Sequence, residues 1–324
     1  MERIENEFRN VGFPQIARLH YEFELDKNLT ELLDNKIKVN YKFVKKNTEN
    51  ANDNCKMSVL LTFLKNGDLD GFKYFFSEFG YVDYTMQNNL LLKYTISMCL
   101  TENRYQIIKY LLEMGANAKD PECIKLAQSM RCQGYDNKVV SKIVKLLVDY
   151  GADIHIDDEY VFRMACASFY EIDMEYIKYL VESNVNIQAG NNYAICQSVY
   201  FSNYDLCKYL IELGANVNAC NGFPLRCAVT SETDIENENI IELLLDAKAD
   251  INVLKMDDIF ICALECNGKN LKVLTNHGFD ISIINKKYSP NTDAEQVIDI
   301  LERNGVDLKR FVAAILSGNY IRDL

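Results

Sequence analysis

One nine-residue phrase recurs along this chain roughly every thirty residues, and a fold that ignores the repetition cannot accommodate the sequence. It reads YLLEMGANA (Tyr110 to Ala118), LLVDYGADI (Leu146 to Ile154), YLVESNVNI (Tyr179 to Ile187), YLIELGANV (Tyr209 to Val217) and LLLDAKADI (Leu243 to Ile251). Weaker copies end at Ile281 and Leu308, and YFFSEFGYVD precedes them at Tyr74 to Asp83. The anchor position, usually Gly, falls at Gly80, Gly115, Gly151, Asn184, Gly214, Lys248, Gly278 and Gly305. Successive spacings are 35, 36, 33, 30, 34, 30 and 27, about 32 on average.

Each copy carries the same apolar stripe eight, seven, four and three residues before its anchor. The stripes are Ile107, Ile108, Leu111, Leu112; Ile143, Val144, Leu147, Val148; Tyr176, Ile177, Leu180, Val181; Leu206, Cys207, Leu210, Ile211; and Ile240, Ile241, Leu244, Leu245. Such spacing is one face of an amphipathic helix that ends at the anchor. Gly suits the anchor because the residue past a helix often takes the left-handed conformation, which costs nothing without a Cβ. Asn184 is the next-best occupant, and Lys248 is expected to be strained.

Eleven residues after the anchor a second apolar segment begins, with Phe162, Ile195, Leu225 and Ile259 in register and the small Ala165, Ser198, Ala228 and Cys262 three residues on. Small side chains are what a helix pressed between two neighbours requires. The connection between anchor and segment is polar; in NACNGFP (Asn218 to Pro224), Asn221-Gly222 signals a tight turn and Pro224 suits a first helical turn. Four stripe residues bury far too little surface to offset ordering a whole copy. The units must therefore stack and share interfaces.

This pattern resembles the ankyrin repeat, whose period is about 33. GFPLRCAV (Gly222 to Val229) is similar to the family's G-x-T-P-L-H-x-A, with Pro224, Leu225 and Ala228 in place and Phe223 and Arg226 replacing Thr and His. EYVFRMACA and NYAICQSVY have nearly lost the motif, and the Asn-, Ile-, Lys- and Tyr-rich style resembles the ankyrin-repeat proteins of giant DNA viruses. The resemblance implies an all-α solenoid of about eight or nine helix-turn-helix units with polar fingers, covering Met57 to Leu308.

The expected organisation is a degenerate repeat or cap over 1–55, the array over 56–308 and a capping helix over 309–324. In the first segment LLDNKIKVN aligns with the phrase and places Lys36 at an anchor, with an insertion near Lys45 to Asn54; Ile37, Val39, Tyr41 and Phe43 alternate as a strand would, so both readings stand.

A formal charge of −12 repels phosphate backbones and anionic lipid on average, which argues against a nucleic-acid or membrane partner. The opening Met1-Glu2-Arg3-Ile4-Glu5 leads into no apolar leader, and no stretch approaches the roughly 20 apolar residues that span a bilayer. The expectation is an intracellular, cytoplasmic monomer, in the host cell if viral. Eleven cysteines without any C-x-x-C signal neither a disulfide framework nor zinc.

No catalytic, cofactor or metal site is expected. Only His20, His155 and His277 exist; His277 precedes Gly278 at a helix end, where a cation is favoured, and His155 reads as a surface residue. Phosphate-cradling glycine loops are absent. Cys166, Cys196, Cys207, Cys227 and Cys262 read as small hydrophobes in helices, and Cys262 with Cys266 lacks two further ligands. The acids Asp157-Asp158-Glu159, Asp257-Asp258 and Glu236-Asn237-Glu238 read as helix-start and solvated groups, and the cluster Lys36, Lys38, Lys42, Lys45, Lys46 as a solvated edge.

The family resemblance implies partner binding by the concave finger and first-helix side. There the candidates are Lys119, Asp120, Asp157, Asp158, Tyr160, Tyr193, Asn221, Phe223, Lys255 and Asp257. The aromatic members Tyr160, Tyr193 and Phe223 either anchor a partner or pack between fingers. The expected function is a non-catalytic protein-binding scaffold or adaptor. A ubiquitin-ligase-linked adaptor is the first alternative, against which the 16 residues after Leu308 are few for an F-box-like tail. An enzyme with an unrecognised site is the second.

Overall fold

A computed structural model describes residues 53–78, 89–98, 101–130, 137–167, 172–231, 237–255, 258 and 269–279. Within them the chain is helical throughout, without a strand. The helices are α1 Asp53–Asn66, α2 Leu69–Glu78, α3 Leu90–Ser97, α4 Glu102–Glu113, α5 Pro121–Ser129, α6 Asn137–Asp149, α7 Ile156–Cys166 and α8 Met174–Glu182. They continue as α9 Ala189–Tyr200, α10 Tyr204–Glu212, α11 Ala219–Thr230, α12 Asn237–Asp246, a 3₁₀ turn Ile251–Val253, and α13 Lys269–Asn276.

The chain divides into two compact units, Met1–Leu180 and Val181–Leu324, the division falling inside α8. In the first, α1, α3, α5 and α7 pack successively on one another, and α2, α4 and α6 do the same beside them. In the second, α9 packs on α11 and α10 on α12, with α13 against α12. The odd-numbered helices α1, α3, α5, α9 and α11 each pack on the even-numbered helix that follows.

The stripes supply the interior. Ile107, Ile108, Leu111, Ile143, Val144, Leu147, Tyr176, Ile177, Leu180, Leu206, Cys207, Leu210, Ile240, Ile241 and Leu244 have no exposed surface. The position three before the anchor varies: Leu112 and Leu245 are buried, whereas Val148, Val181 and Ile211 lie half-buried at the edge of the face. In the first helices Phe162, Ile195 and Leu225 are fully buried, as are the small Ala165, Ser198 and Ala228. The first pair closes tightly because Gly71 leaves room for the Phe63 ring, which a Cβ there would approach to 2.6 Å.

Helix ends follow from side-chain chemistry. Thr101 and Asn203 accept the backbone N–H groups of Arg104 and Leu206 at the starts of α4 and α10. Asp173 does the same for Tyr176 at 3.0 Å while its other oxygen accepts the Ser141 hydroxyl from α6. Every described anchor is left-handed: Gly115, Gly151, Gly214 and Gly278, but also Asn184 (φ 62) and Lys248 (φ 70). At Lys248 the Ala249 N–H still reaches the Leu244 carbonyl at 2.9 Å and the Lys248 N–H that of Leu245, the same closure as at Gly214. The strain expected at Lys248 is therefore present, held by an intact cap.

The anchors Gly80 and Gly305, the readings for 1–52, and Ile259, Cys262, Cys266, Glu236 and Asp257 lie outside the described residues.

Candidate interaction surface

The connection between anchor and first helix is built in two steps. Two residues past the anchor stands an Asn or Asp whose Oδ1 accepts the backbone N–H two residues on: Asn117 from Lys119, Asp153 from His155, Asn186 from Gln188, Asn216 from Asn218 and Asp250 from Asn252, at 2.9 to 3.1 Å. This is the Asx turn, a local substitute for a backbone turn. A short run of left-handed residues then follows: Asp157-Asp158-Glu159, Gly190-Asn191-Asn192 and Cys220-Asn221-Gly222, all with φ between 48 and 73. The right-handed helix begins only after these triplets, so Pro224 occupies its first turn, as its spacing predicts.

The polar finger is therefore a compact left-handed turn. Most of its occupants are Asp, Asn and Gly, the types that tolerate this conformation. Gly222 is held there by contact as well as torsion, since a Cβ would lie 2.4 Å from Val253 Cγ2.

In the second unit side chains four past an anchor tie each connection to the next. Gln188 Nε2 donates to the Gly214 carbonyl at 3.3 Å, and Asn218 Nδ2 to the Lys248 carbonyl at 3.1 Å. Asn218 Oδ1 also accepts the Asp250 N–H at 2.7 Å. Arg226, standing where the family motif has His, grips Asp258 with Nε and Nη2 at 2.9 and 3.0 Å. Hydrogen bonding to Asp258 raises the guanidinium pKa.

The candidate residues sort into two groups. Asp120 is committed to structure: its Oδ1 caps α5 and its Oδ2 pairs with Lys93 at 2.8 Å. Burial acts to lower the Lys93 pKa, but hydrogen bonds and charge from Asp120 and Glu122 outweigh it and raise it. Asp157 pairs with Lys125, the Asp157 and Asp158 carbonyls accept from Arg163, and Glu159 is buried against His155 Nδ1 at 3.1 Å. Those acids shape the turn rather than cap the helix. Lys119, Asn221 and Lys255 are exposed, with the Lys255 N–H on Asp258. His277 closes its helix, Nδ1 3.0 Å from the Val273 carbonyl and Nε2 3.5 Å from Asp246.

Tyr160, Tyr193 and Phe223 each stand nine residues past an anchor, directly after a left-handed triplet. Phe223 is 36% exposed, while Tyr160 and Tyr193 are half-buried. Packing and display thus coexist at this position. Sequence reasoning did not single out Met114, Tyr150 and Leu213, exposed by 41%, 39% and 39%. Each stands one residue before an anchor, a register that could have been read from the phrase itself.

Among the described residues no group of three or more His, Cys, Asp or Glu is arranged to hold a metal, and no helix is long and apolar enough to cross a membrane.

The comparisons with known proteins agree with this repeat. The family model of ankyrin repeats, in three copies, matches residues 162–255. No curated protein matches the chain. Among solved structures the chain is similar to the crystal structure of the human ASB11 ankyrin repeat domain, with a TM-score of 0.50 and 18% identity over 68% of this chain and 98% of that one. The fold is an all-α ankyrin-repeat solenoid, and ankyrin repeats generally mediate protein–protein interaction.

Proposed function

We propose that this protein is a non-catalytic scaffold or adaptor that binds a partner protein through its left-handed turns and the aromatic side chain that follows each. The observation that carries this reading is the recurrence of Tyr160, Tyr193 and Phe223 at one position of three successive repeats, each beside exposed polar residues of a left-handed turn. Aromatic rings bury much area at small entropic cost, and a turn whose backbone is already fixed leaves little to order on binding. In this reading the polar residues beside the turns are Lys119, Asp157 and Asp158 in the first unit and, in the second, Asn221 and Lys255. Asp120, already paired with Lys93 and capping α5, contributes shape rather than a free charge.

Within the same reading the protein acts as a monomer on a host protein in the cytoplasm. The support is the giant-virus style of its repeats and the absence of a disulfide-framework pattern among its eleven cysteines, which fits a reducing compartment.

The test is affinity capture from the native cellular context with the wild-type chain and with Tyr160→Ala, Tyr193→Ala and Phe223→Ala combined, matched for thermal stability. The expected result is a partner recovered by the wild type and lost by the triple variant. Undiminished recovery would place the binding surface elsewhere.

A further inference from the structure

Met114, Tyr150 and Leu213 are large apolar side chains left exposed at one register, directly before the left-handed anchor of three repeats. The fold does not ask for them there. Ser183, Ala247 and His277 fill the same register in other repeats, and the helices still close: the Asn184, Lys248 and Gly278 N–H groups each reach the carbonyl three residues back.

One residue earlier stands an exposed acid, Glu113, Asp149, Glu182, Glu212 or Asp246, in the last turn of α4, α6, α8, α10 and α12. None of these last turns carries a basic residue. A carboxylate there lies against the negative end of the helix dipole, so folding alone does not favour it. Asp246 faces His277 Nε2 at 3.5 Å. Among the described residues no hydrogen bond or ion pair engages the carboxylates of Glu113, Asp149 and Glu212.

In the first unit two of these helix ends are neighbours, because α4 packs on α6. Met114 and Tyr150 thus share an edge with Glu113 and Asp149. Behind Met114 the space is open, with nothing within 4 Å of a Cβ placed on Gly115. Behind Tyr150 the Lys119 stem crosses Gly151, its Cε 3.1 Å from such a Cβ. Asp153 adds another exposed acid two residues past that anchor, so the edge stays acidic in spite of Lys119.

From this edge we infer that the first unit carries a second docking surface, Met114 and Tyr150 with Glu113 and Asp149, for a cationic amphipathic helix of a partner protein. Packed helices stand about 8–10 Å apart. Seven residues of a helix rise about 10.5 Å, so a partner helix laid across α4 and α6 presents one apolar side chain to each when these recur every seven residues. A lysine or arginine beside each apolar residue meets the acid that precedes Met114 or Tyr150. Charge selects the class of occupant, since the same carboxylates repel an anionic membrane or a nucleic acid. The surface differs in register from the turns, whose aromatic residues stand nine positions past an anchor.

The experiment uses the full-length chain and a fluorescein-labelled helical peptide of about 18 residues, built of leucine, lysine and alanine with leucine and lysine recurring every seven residues. Anisotropy reads its affinity beside a scrambled peptide of the same composition and one with glutamate for lysine. The patterned peptide should bind about tenfold more tightly than the scrambled one, and the glutamate peptide should not bind. Met114→Ser with Tyr150→Ser, and separately Glu113→Gln with Asp149→Asn, should each weaken binding about tenfold. Glu175→Gln with Asp205→Asn removes the same charge from exposed helix starts and should leave the affinity unchanged. Thermal melts supply a readout that a structural role would move the other way: the Glu113 and Asp149 variant should melt no lower than the wild type. Failure of the patterned peptide to bind, equal weakening by the Glu175 and Asp205 control, undiminished binding by the Met114 and Tyr150 variant, or a lower melting temperature for the Glu113 and Asp149 variant would overturn the proposal.

Discussion

Replacing Lys248 by Gly should stabilise this protein although it removes a side chain. Lys248 has φ 70, its N–H donates to the Leu245 carbonyl at 2.9 Å, and its own carbonyl accepts Asn218 Nδ2 at 3.1 Å. All of these are backbone contacts that glycine keeps, and the Lys248 side chain is exposed. An L-residue held left-handed costs about 1–2 kcal/mol. The extra freedom of glycine in the unfolded chain takes back about 0.4–1 kcal/mol. The net gain is about 0.5–1 kcal/mol, or roughly 1–4 °C in Tm for a unit of this size. Gly214→Ala is the mirror experiment: φ is 86 and nothing lies within 4 Å of the added Cβ, so the loss should be torsional, about 1 kcal/mol. Urea melts of both variants, followed by far-ultraviolet circular dichroism, read the two signs. A lower midpoint for Lys248→Gly, or an unchanged one for Gly214→Ala, would refute the torsional argument.

Gly222→Ala should cost more than Gly214→Ala, about 2–4 kcal/mol, because the same torsional penalty is joined by overpacking against Val253. Adding Val253→Ala should recover part of the loss in the same melts. Arg226→Ala removes both hydrogen bonds to Asp258, whose carboxylate is nearly buried, and should lower stability by about 1–3 kcal/mol. Arg226→Lys should recover only a minor part, since an ammonium cannot reproduce the forked pair; full recovery in a denaturant melt would count against the bidentate geometry.

What the sequence reveals of this fold is what repeats within one unit. The stripe at eight, seven and four residues before the anchor is a helix period, and its members are buried wherever they are described. The left-handed anchor is legible even at Lys248, because position in the period outweighs residue preference there. The triplets are only partly legible: Asn191-Asn192 and Asn221-Gly222 announce them, whereas Glu159 and Cys220 are poor left-handed residues placed there by the turn around them. Ties between repeats are the least legible part. Arg226 and Asp258 are 32 residues apart, and Gln188 meets Gly214 across 26, separations that no local pattern encodes. The exposed apolar residues Met114, Tyr150 and Leu213 share one register, directly before an anchor, which the recurring phrase itself displays.

Hydrogen–deuterium exchange on the complex with the captured partner tests most directly whether the turns are the docking surface. Protection concentrated in 156–163, 190–196 and 219–226, the segments that hold the triplets and their aromatic residues, is the outcome this account requires. Protection confined instead to the helix ends that carry Met114, Tyr150 and Leu213, with the turns exchanging as in the free protein, would contradict it.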